Sequence, residues 1–368
     1  MSSATQALSD LGVSIWLDDL SKDRLSSGSL AAVMREHNVV GVTSNPTIFA
    51  GSVAGSDSYL EDIRAMKKRG LDAEDAVFTI MVSDVQGACD LLHPVFEASG
   101  GADGRVSLEV SPELAGDTAG TVAQALDLSQ RVNRPNLMIK IPATLAGLPA
   151  ISAVLAAGIS VNVTLIFSIA RYQQVIDAHI AGIKKAKENG HDISQIHSVA
   201  SFFVSRVDSA VDPLLENIAT PEASALRSRA ALANARLAYR LFQERYAEVE
   251  AKELVTEGMH AQRPLWASTG VKDPNLEPTL YVTQLAVANT VNTMPEKTLL
   301  ATAEYSGTIA DKVSGAIADA HSVMAQLDAV GISIDQVTRD LESEGVAKFV
   351  QSWRELVQTV RDAMDSSE

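Results

Sequence analysis

Cysteine is all but missing from this 368-residue sequence: Cys89 stands alone, so no disulfide can form within the chain. It falls in an apolar helical pattern, where a thiol reads as packing rather than chemistry. Reliance on a single thiol fits a reducing compartment, and a cytoplasmic location is expected. Basic residues are also scarce, with 30 Lys and Arg against 46 Asp and Glu and a formal net charge of −16. A nucleic-acid partner would want a basic face, so none is expected. A local cluster of Arg and Lys can still hold a small anion against that net field. Long apolar runs are absent too. No stretch reaches the ~20 residues of a membrane span, because Gly, Pro or polar residues interrupt each candidate. The opening "MSSATQALSD" has no basic region followed by an apolar run, so no signal peptide is expected.

Two further absences narrow the chemistry. The seven histidines form no HxH or HxxxH pair, and His197, at the start of a strand, reads as structural. The glycine-bearing "GSVAG" and "WASTG" lack the spacing of a P-loop or dinucleotide fingerprint, so neither metal nor nucleotide cofactor is expected. No repeat, low-complexity tract or Pro/Gly/Ser-rich linker divides the chain. Residues 1–368 therefore read as a single domain.

What is present is an alternation. Strand-like runs start at Val13 ("VSIWLDD"), Val39 ("VVGVTSN"), Gly104 ("GRVSLEVS"), Asn136 ("NLMIKIPA"), Ile159 ("ISVNVTLIF"), His197 ("HSVASFFVS"), Arg263 ("RPLWAST") and Val287 ("VANTVNTM"). Helical patterns separate most of them, among them "DTAGTVAQALDLSQRVN" and "ALRSRAALANARLAYRLFQERYAEVE". Strand alternating with helix implies a parallel sheet, and about eight such units predict an α/β (β/α)8 TIM barrel, with a doubly wound open sheet as the alternative. From about Thr298 to the end, residues 298–368, the pattern is wholly helical and predicts an extension packed on the barrel, covering part of its mouth. Gly331 followed by Ser333 reads as one helix stop and the next N-cap.

Strand periodicity then supplies a site. In "ISVNVTLI", Ile159, Val161, Val163 and Leu165 share one parity, and Ser160, Asn162 and Thr164 the other. Val106, Leu108 and Val110 alternate with Ser107, Glu109 and Ser111; Thr43 shares a parity with Asn45, and Asp18 with Ser14 and Trp16. Lys140 lies with Met138 and Pro142, opposite Leu137, Ile139 and Ile141. If the apolar parity faces the helices, the polar one faces the barrel axis. Asp18, Asn45, Glu109, Lys140, Asn162 and Thr164 then converge at C-terminal strand ends, where barrel enzymes work. A solvated strand end explains any one of them; a core of carboxylates, amides and an amine together demands a use. An amine in a partly apolar pocket loses solvation, which favours the neutral form that attacks a carbonyl to give a Schiff base. Two carboxylates on other strands can then move protons. A hard cation on Asp18 and Glu109 is a weaker reading, because the inward lysine opposes it.

Candidates for holding an anion come later: Ser201 and Arg206 at the end of the sixth strand, Ser268 and Lys272 after the seventh. The alternative for Arg206 is a surface ion pair with Asp208 or Asp212.

The stretches "GVTSNPTIF", "VSLEVSP", "LMIKIPATLAGLPAI", "ISVNVTLIFS", "ASFFVSRVD" and "NTMPEKTL" cover most of the chain and, in order and spacing, resemble the transaldolase family, in its longer bacterial form. The resemblance implies a Schiff-base transferase of the pentose phosphate pathway acting on sugar phosphates without a cofactor. It implies Lys140 as the Schiff-base lysine and Asp18 as the general base of carbon–carbon cleavage. Glu109 and Thr164 match a pair that holds a catalytic water. Asn45 and Asn162 match substrate-positioning amides, Ser201 and Arg206 phosphate contacts, and Phe203 an aromatic wall. In one place the sequence departs from the pattern: shorter relatives carry an Arg soon after the seventh strand, where this chain has "ASTGVKDP" and offers Lys272. A monomer or a homodimer is compatible with the helical tail. Three other readings stand beside this one: an aldolase of the same fold, a metal-dependent barrel lyase or isomerase, and a non-catalytic sugar-phosphate binder.

Overall fold

The computed structural model describes residues 3–366. Eight strands, β1 (Val13–Asp18), β2 (Val39–Thr43), β3 (Arg105–Glu109), β4 (Leu137–Pro142), β5 (Val161–Ile166), β6 (Ser198–Phe203), β7 (Arg263–Ala267) and β8 (Thr290–Met294), pair in parallel in chain order, and β8 closes on β1. The architecture is a (β/α)8 barrel, as the alternation of strand and helix predicts. Val106, Leu108, Val161 and Val163 are fully buried, and the polar residues between them, Ser107, Glu109, Asn162 and Thr164, are buried too. Such double burial is what a parallel strand meets when helices cover one face and the barrel interior the other. The last strand starts later than the sequence pattern suggests. Asn289, in the left-handed region at φ 60°, turns the chain and donates its N–H to Gly12 O, so pairing begins at Thr290.

Trp16 shares Asp18's parity, and its indole fills the barrel beneath the site. A Cβ on Gly41 would stand 2.5 Å from that ring, so glycine is required on the neighbouring strand. Below the indole lies a polar plug that sequence reading did not single out. Arg263 donates to Ser14 Oγ (2.7 Å), Ala102 O (2.7 Å) and Asp103 Oδ1 (3.0 Å); Arg105 donates to Gly101 O (2.7 Å) and Ser160 Oγ (3.2 Å). Two guanidinium groups are tolerable there because most of their donors meet carbonyls, hydroxyls and a carboxylate; Arg105 Nη2 alone of them is buried without a hydrogen-bond partner among the described residues. They close the N-terminal end and leave access from the C-terminal end.

The segment between β1 and β2 is two short helices, Lys22–Ser26 and Ser29–His37, divided by Gly28 at φ 76°. Helix boundaries differ from expectation at two points. The helix expected from Ala225 begins at Ala230, because Ser228 sits at φ 58° and is tied to Asp212 through both N–H and Oγ. The tail is not helical throughout. A helix ends at Ala303, a tight turn brings Gly307 against the Tyr305 ring, and Asp311 accepts from Val313 and Ser314 N–H before the next helix, Ile317–Ala329. Gly331 (φ 89°) then stops that helix, and Ser333 caps the last one by accepting from Gln336 N–H.

That last helix, Ile334–Asp365, buries a stripe of Val337, Leu341, Gly345, Phe349, Trp353, Leu356, Val360 and Met364 at helical spacing. Full burial of each large apolar side chain contributes about 1.5–3 kcal/mol, enough to hold a long helix against the barrel. Trp353 lies 4.8 Å from the Phe78 ring, Arg171 pairs with Glu342, and Ser352 shares a 2.8 Å hydrogen bond with Thr47. The helix is therefore seated across the C-terminal mouth.

Candidate active site

At that mouth is a cavity of about 220 Å³. Of the residues expected from the sequence, Asp18, Asn45, Lys140, Thr164, Ser201, Phe203, Arg206, Ser268 and Lys272 line it. Glu109 and Asn162 stand behind the lining. Register explains the difference. Glu109 is opposite Lys140 on β3 and Asn162 opposite Lys140 on β5, while Thr164, one step higher, is opposite Pro142. Asn162 is thus near the start of its strand rather than its end. Its amide is fully buried, donating to Ser107 Oγ (3.0 Å) and accepting from Ser201 Oγ (2.7 Å). It orients Ser201 from below.

Lys140 is 4% exposed. Its Nζ donates to Ser44 O at 2.9 Å and lies 3.4 Å from Glu109 Oε2, an ion-pair distance without hydrogen-bond alignment. Burial pushes the Glu109 carboxyl up to about 7, against the opposing pull of the Lys140 charge. A carboxyl balanced there can take or give the proton that an attacking amine must shed. Glu109 Oε2 and Thr164 Oγ1 are both buried without a hydrogen-bond partner among the described residues. Buried polar atoms are seldom left so.

Asp18 ends β1 on the other side of Lys140. Burial again raises its pKa, with Lys140, the Thr43 hydroxyl and Arg206 pulling down and Asp19 pushing up. Thr43 donates to Asp18 Oδ1 (2.7 Å), so its single proton is spent, and in its 2.6 Å contact with Thr293 the latter must donate. The relay Thr293–Thr43–Asp18 fixes one carboxylate oxygen. Arg24 steadies the same corner by bridging Asp19 (2.5 Å) and Glu296 (2.9 Å), which ties the loop after β1 to the loop after β8.

Asn45 shares its parity with Thr43 in the sequence, but β2 ends at Thr43. Asn45 is the N-cap of Pro46–Ala54, its Oδ1 accepting from Ile48 N–H at 3.0 Å. The cap directs the remaining amide donors at the cavity's edge.

The far end is cationic. Arg206 sits in the first turn of Ser205–Ile218, its guanidinium 5.0 Å from the Phe203 ring centroid. The alternative of a surface ion pair fails. Asp208 accepts instead from Ala231 N–H and Tyr281 Oη, Asp212 from Ser228, and Arg206 has no ion pair among the described residues. Burial lowers its pKa, as expected for a cation partly stripped of water with no carboxylate in contact. Ser268 (φ 55°) and Lys272 line the same end, with Ser268 Oγ 3.0 Å from Ser205 Oγ. Two cationic side chains, Arg206 and Lys272, thus line the cavity.

Among the lining residues that escaped sequence reading, two stand out. Thr293 lies in the quoted "NTMPEKTL", but its hydroxyl role depends on β8 closing on β1. Phe349 comes from the C-terminal helix and carries no local signal. Cys89 is buried away from the cavity, its thiol pushed up to about 12 by burial, as a packing role requires.

Comparison with known proteins agrees with this geometry. The model of the transaldolase/fructose-6-phosphate aldolase family matches residues 15–360. A transaldolase of Saccharopolyspora erythraea is 54% identical over 362 residues, covering 98% of each chain. One of Thermobifida fusca is 55% identical over 360 residues, again 98% of each. One of Mycolicibacterium smegmatis is 52% identical over 361 residues, 98% of this chain and 97% of the relative.

Proposed function

The chain belongs to the transaldolase/fructose-6-phosphate aldolase family, and we propose that it transfers a dihydroxyacetone unit from sedoheptulose 7-phosphate to glyceraldehyde 3-phosphate, giving erythrose 4-phosphate and fructose 6-phosphate in the non-oxidative pentose phosphate pathway. The observation that carries the reading is one amine, Lys140, buried between two carboxyl groups and facing a cavity with a cationic far end. Transfer rather than simple aldol release is favoured by the full-length relatives named transaldolase at more than half identity. Sugar phosphates are the partners this reading implies, bound by a monomer or a homodimer. No described helix is long and apolar enough to cross a membrane, and a buried free thiol fits a cytoplasmic location.

The residues then divide the work. Lys140 attacks the C2 ketone, and Glu109, through the water seated at Thr164, takes the amine's proton and returns one to the departing C2 oxygen. The iminium draws electrons from the C3–C4 bond once Asp18 has taken the C4 hydroxyl proton. The aldose phosphate leaves and an enamine stays on Lys140. An incoming aldehyde accepts it, Asp18 returns its proton, and water frees the new ketose. Arg206, Ser268 and Lys272 hold the phosphate, which sets how far the chain's other end reaches toward Lys140. Lys272 takes the part of the second phosphate-binding Arg.

Arg206→Ala removes the charge-assisted contacts to the phosphate. The KM for fructose 6-phosphate should rise on the order of 10–100-fold while kcat changes little. Steady-state kinetics with fructose 6-phosphate and with unphosphorylated fructose test this, since the latter should hardly notice the change. Equal losses for both sugars would remove Arg206 from the phosphate site.

Glu109 gives a pH dependence. Below about 7 its carboxyl keeps its proton and cannot accept another, so Schiff-base formation should accelerate as pH rises through about 7. In Glu109→Gln that limb should vanish and the rate fall throughout. Borohydride-trapping rates across the pH range give the comparison; an unchanged limb in the variant would assign it to another group.

A further inference from the structure

The cavity around Lys140 has polar walls and apolar ones, and Phe349 is the apolar residue that the C-terminal helix supplies. Phe349 brings an aromatic ring to the cavity, its centroid 5.9 Å from Lys140 Nζ and its side chain 4% exposed. The approach is built into the helix that carries it. At Gly345, one turn earlier, an added Cβ would stand 3.0 Å from Leu165 Cδ2 and 3.7 Å from Arg206 Nη1, so the helix lies close against the barrel mouth and a larger residue would have to push the Leu165 side chain aside. One turn later the Ser352–Thr47 hydrogen bond fastens it to the β2 side. Leu165, on which Gly345 rests, is itself held at φ 58° where the pairing of β5 with β6 slips its register. A strained residue and a close glycine contact together seat the ring.

We infer that Phe349 biases the choice between transfer and hydrolysis, by shielding the Lys140-bound carbon from water. The inference rests on the proposed transfer activity. After the aldose phosphate leaves, the enamine has two fates. An aldehyde can accept its carbon, forming a new C–C bond. Otherwise that carbon takes a proton from water, water adds to the resulting iminium carbon, and the C–N bond breaks. The net change is the consumption of one water and the release of dihydroxyacetone and the free amine. Both fates start from the same enamine, but only the second needs water at the Lys140 face before an aldehyde arrives. Threonine, serine and carboxylate walls would recruit that water; an aromatic ring excludes it.

The test uses the full-length protein and the variants Phe349→Ala and Phe349→Leu. Free dihydroxyacetone release from fructose 6-phosphate alone is compared with transfer to erythrose 4-phosphate, and borohydride trapping on Lys140 is followed in parallel. Release relative to transfer should rise ~10-fold or more in the alanine variant and about 3-fold in the leucine variant, with trapping kept within about 2-fold. An unchanged ratio in variants that trap normally overturns the inference. If the alanine variant fails to fold, the leucine variant decides on the same reading. If the unaltered protein releases dihydroxyacetone as fast as it transfers it, the reading that fails is transfer itself.

Discussion

Lys140→Met should lose transfer activity on the order of 10⁴-fold or more, about 5.5 kcal/mol of barrier, and should form no borohydride-trapped adduct. Methionine matches the length of the lysine stem and lacks the nucleophile. The loss is that of a reaction path, because the other amine lining the cavity, Lys272, is exposed at its far end rather than buried between carboxyl groups. The fold should survive. Removing one partner of a buried ion pair commonly costs about 3–5 kcal/mol, since it strands the other charge. Here Glu109 is already pushed up to about 7 by burial, so without Lys140 it keeps a proton instead of standing as a buried anion. A circular-dichroism melt beside the activity assay separates the two effects. Residual activity within about 10² of the unaltered protein, in a sample free of it, would mean that Lys140 is not the nucleophile.

Asp18→Asn should lose cleavage by roughly 10²–10⁴-fold while Schiff-base trapping falls no more than a few-fold. The substitution is nearly isosteric. Asn Oδ1 can accept the Thr43 hydroxyl as Asp18 Oδ1 does, so the relay from Thr293 stays in place. What goes is the ability to take a proton from the C4 hydroxyl. Single-turnover aldehyde release measures the one step and trapping with fructose 6-phosphate the other. Parallel loss of both would reduce Asp18 to a wall of the pocket.

Strand parity in the sequence was enough to bring Lys140, Asp18 and Thr164 to one cavity and Glu109 behind it, because a parallel strand between helices and a barrel interior must alternate. Parity does not give depth. Asn162 shares a parity with Thr164, yet register sets it beside Lys140, below the lining, where it braces Ser201. Nor does parity survive the end of a strand: Asn45 continues the alternation of β2 on paper but is a helix cap. The anion site was legible as residue types, and its freedom from ion pairs only in three dimensions, where Asp208 and Asp212 turn out to be occupied elsewhere. Phe349 could not be found from local pattern. In its helix it is one apolar residue in a regular stripe, and the place where that stripe crosses the barrel is set by Gly345 against Leu165. The plug of Arg105 and Arg263 escaped for a related reason: an arginine at the first position of a strand looks like a solvated end until closure brings Asp103, Ser14 and Ser160 around it.

The central claim is that chemistry runs through a covalent bond to one lysine. Mass spectrometry of peptides after borohydride reduction with fructose 6-phosphate tests it directly. The account predicts a reduced adduct on the peptide containing Lys140, absent without sugar, and loss of activity in step with its formation. An adduct on another lysine, or inactivation that leaves Lys140 unmodified, would contradict it.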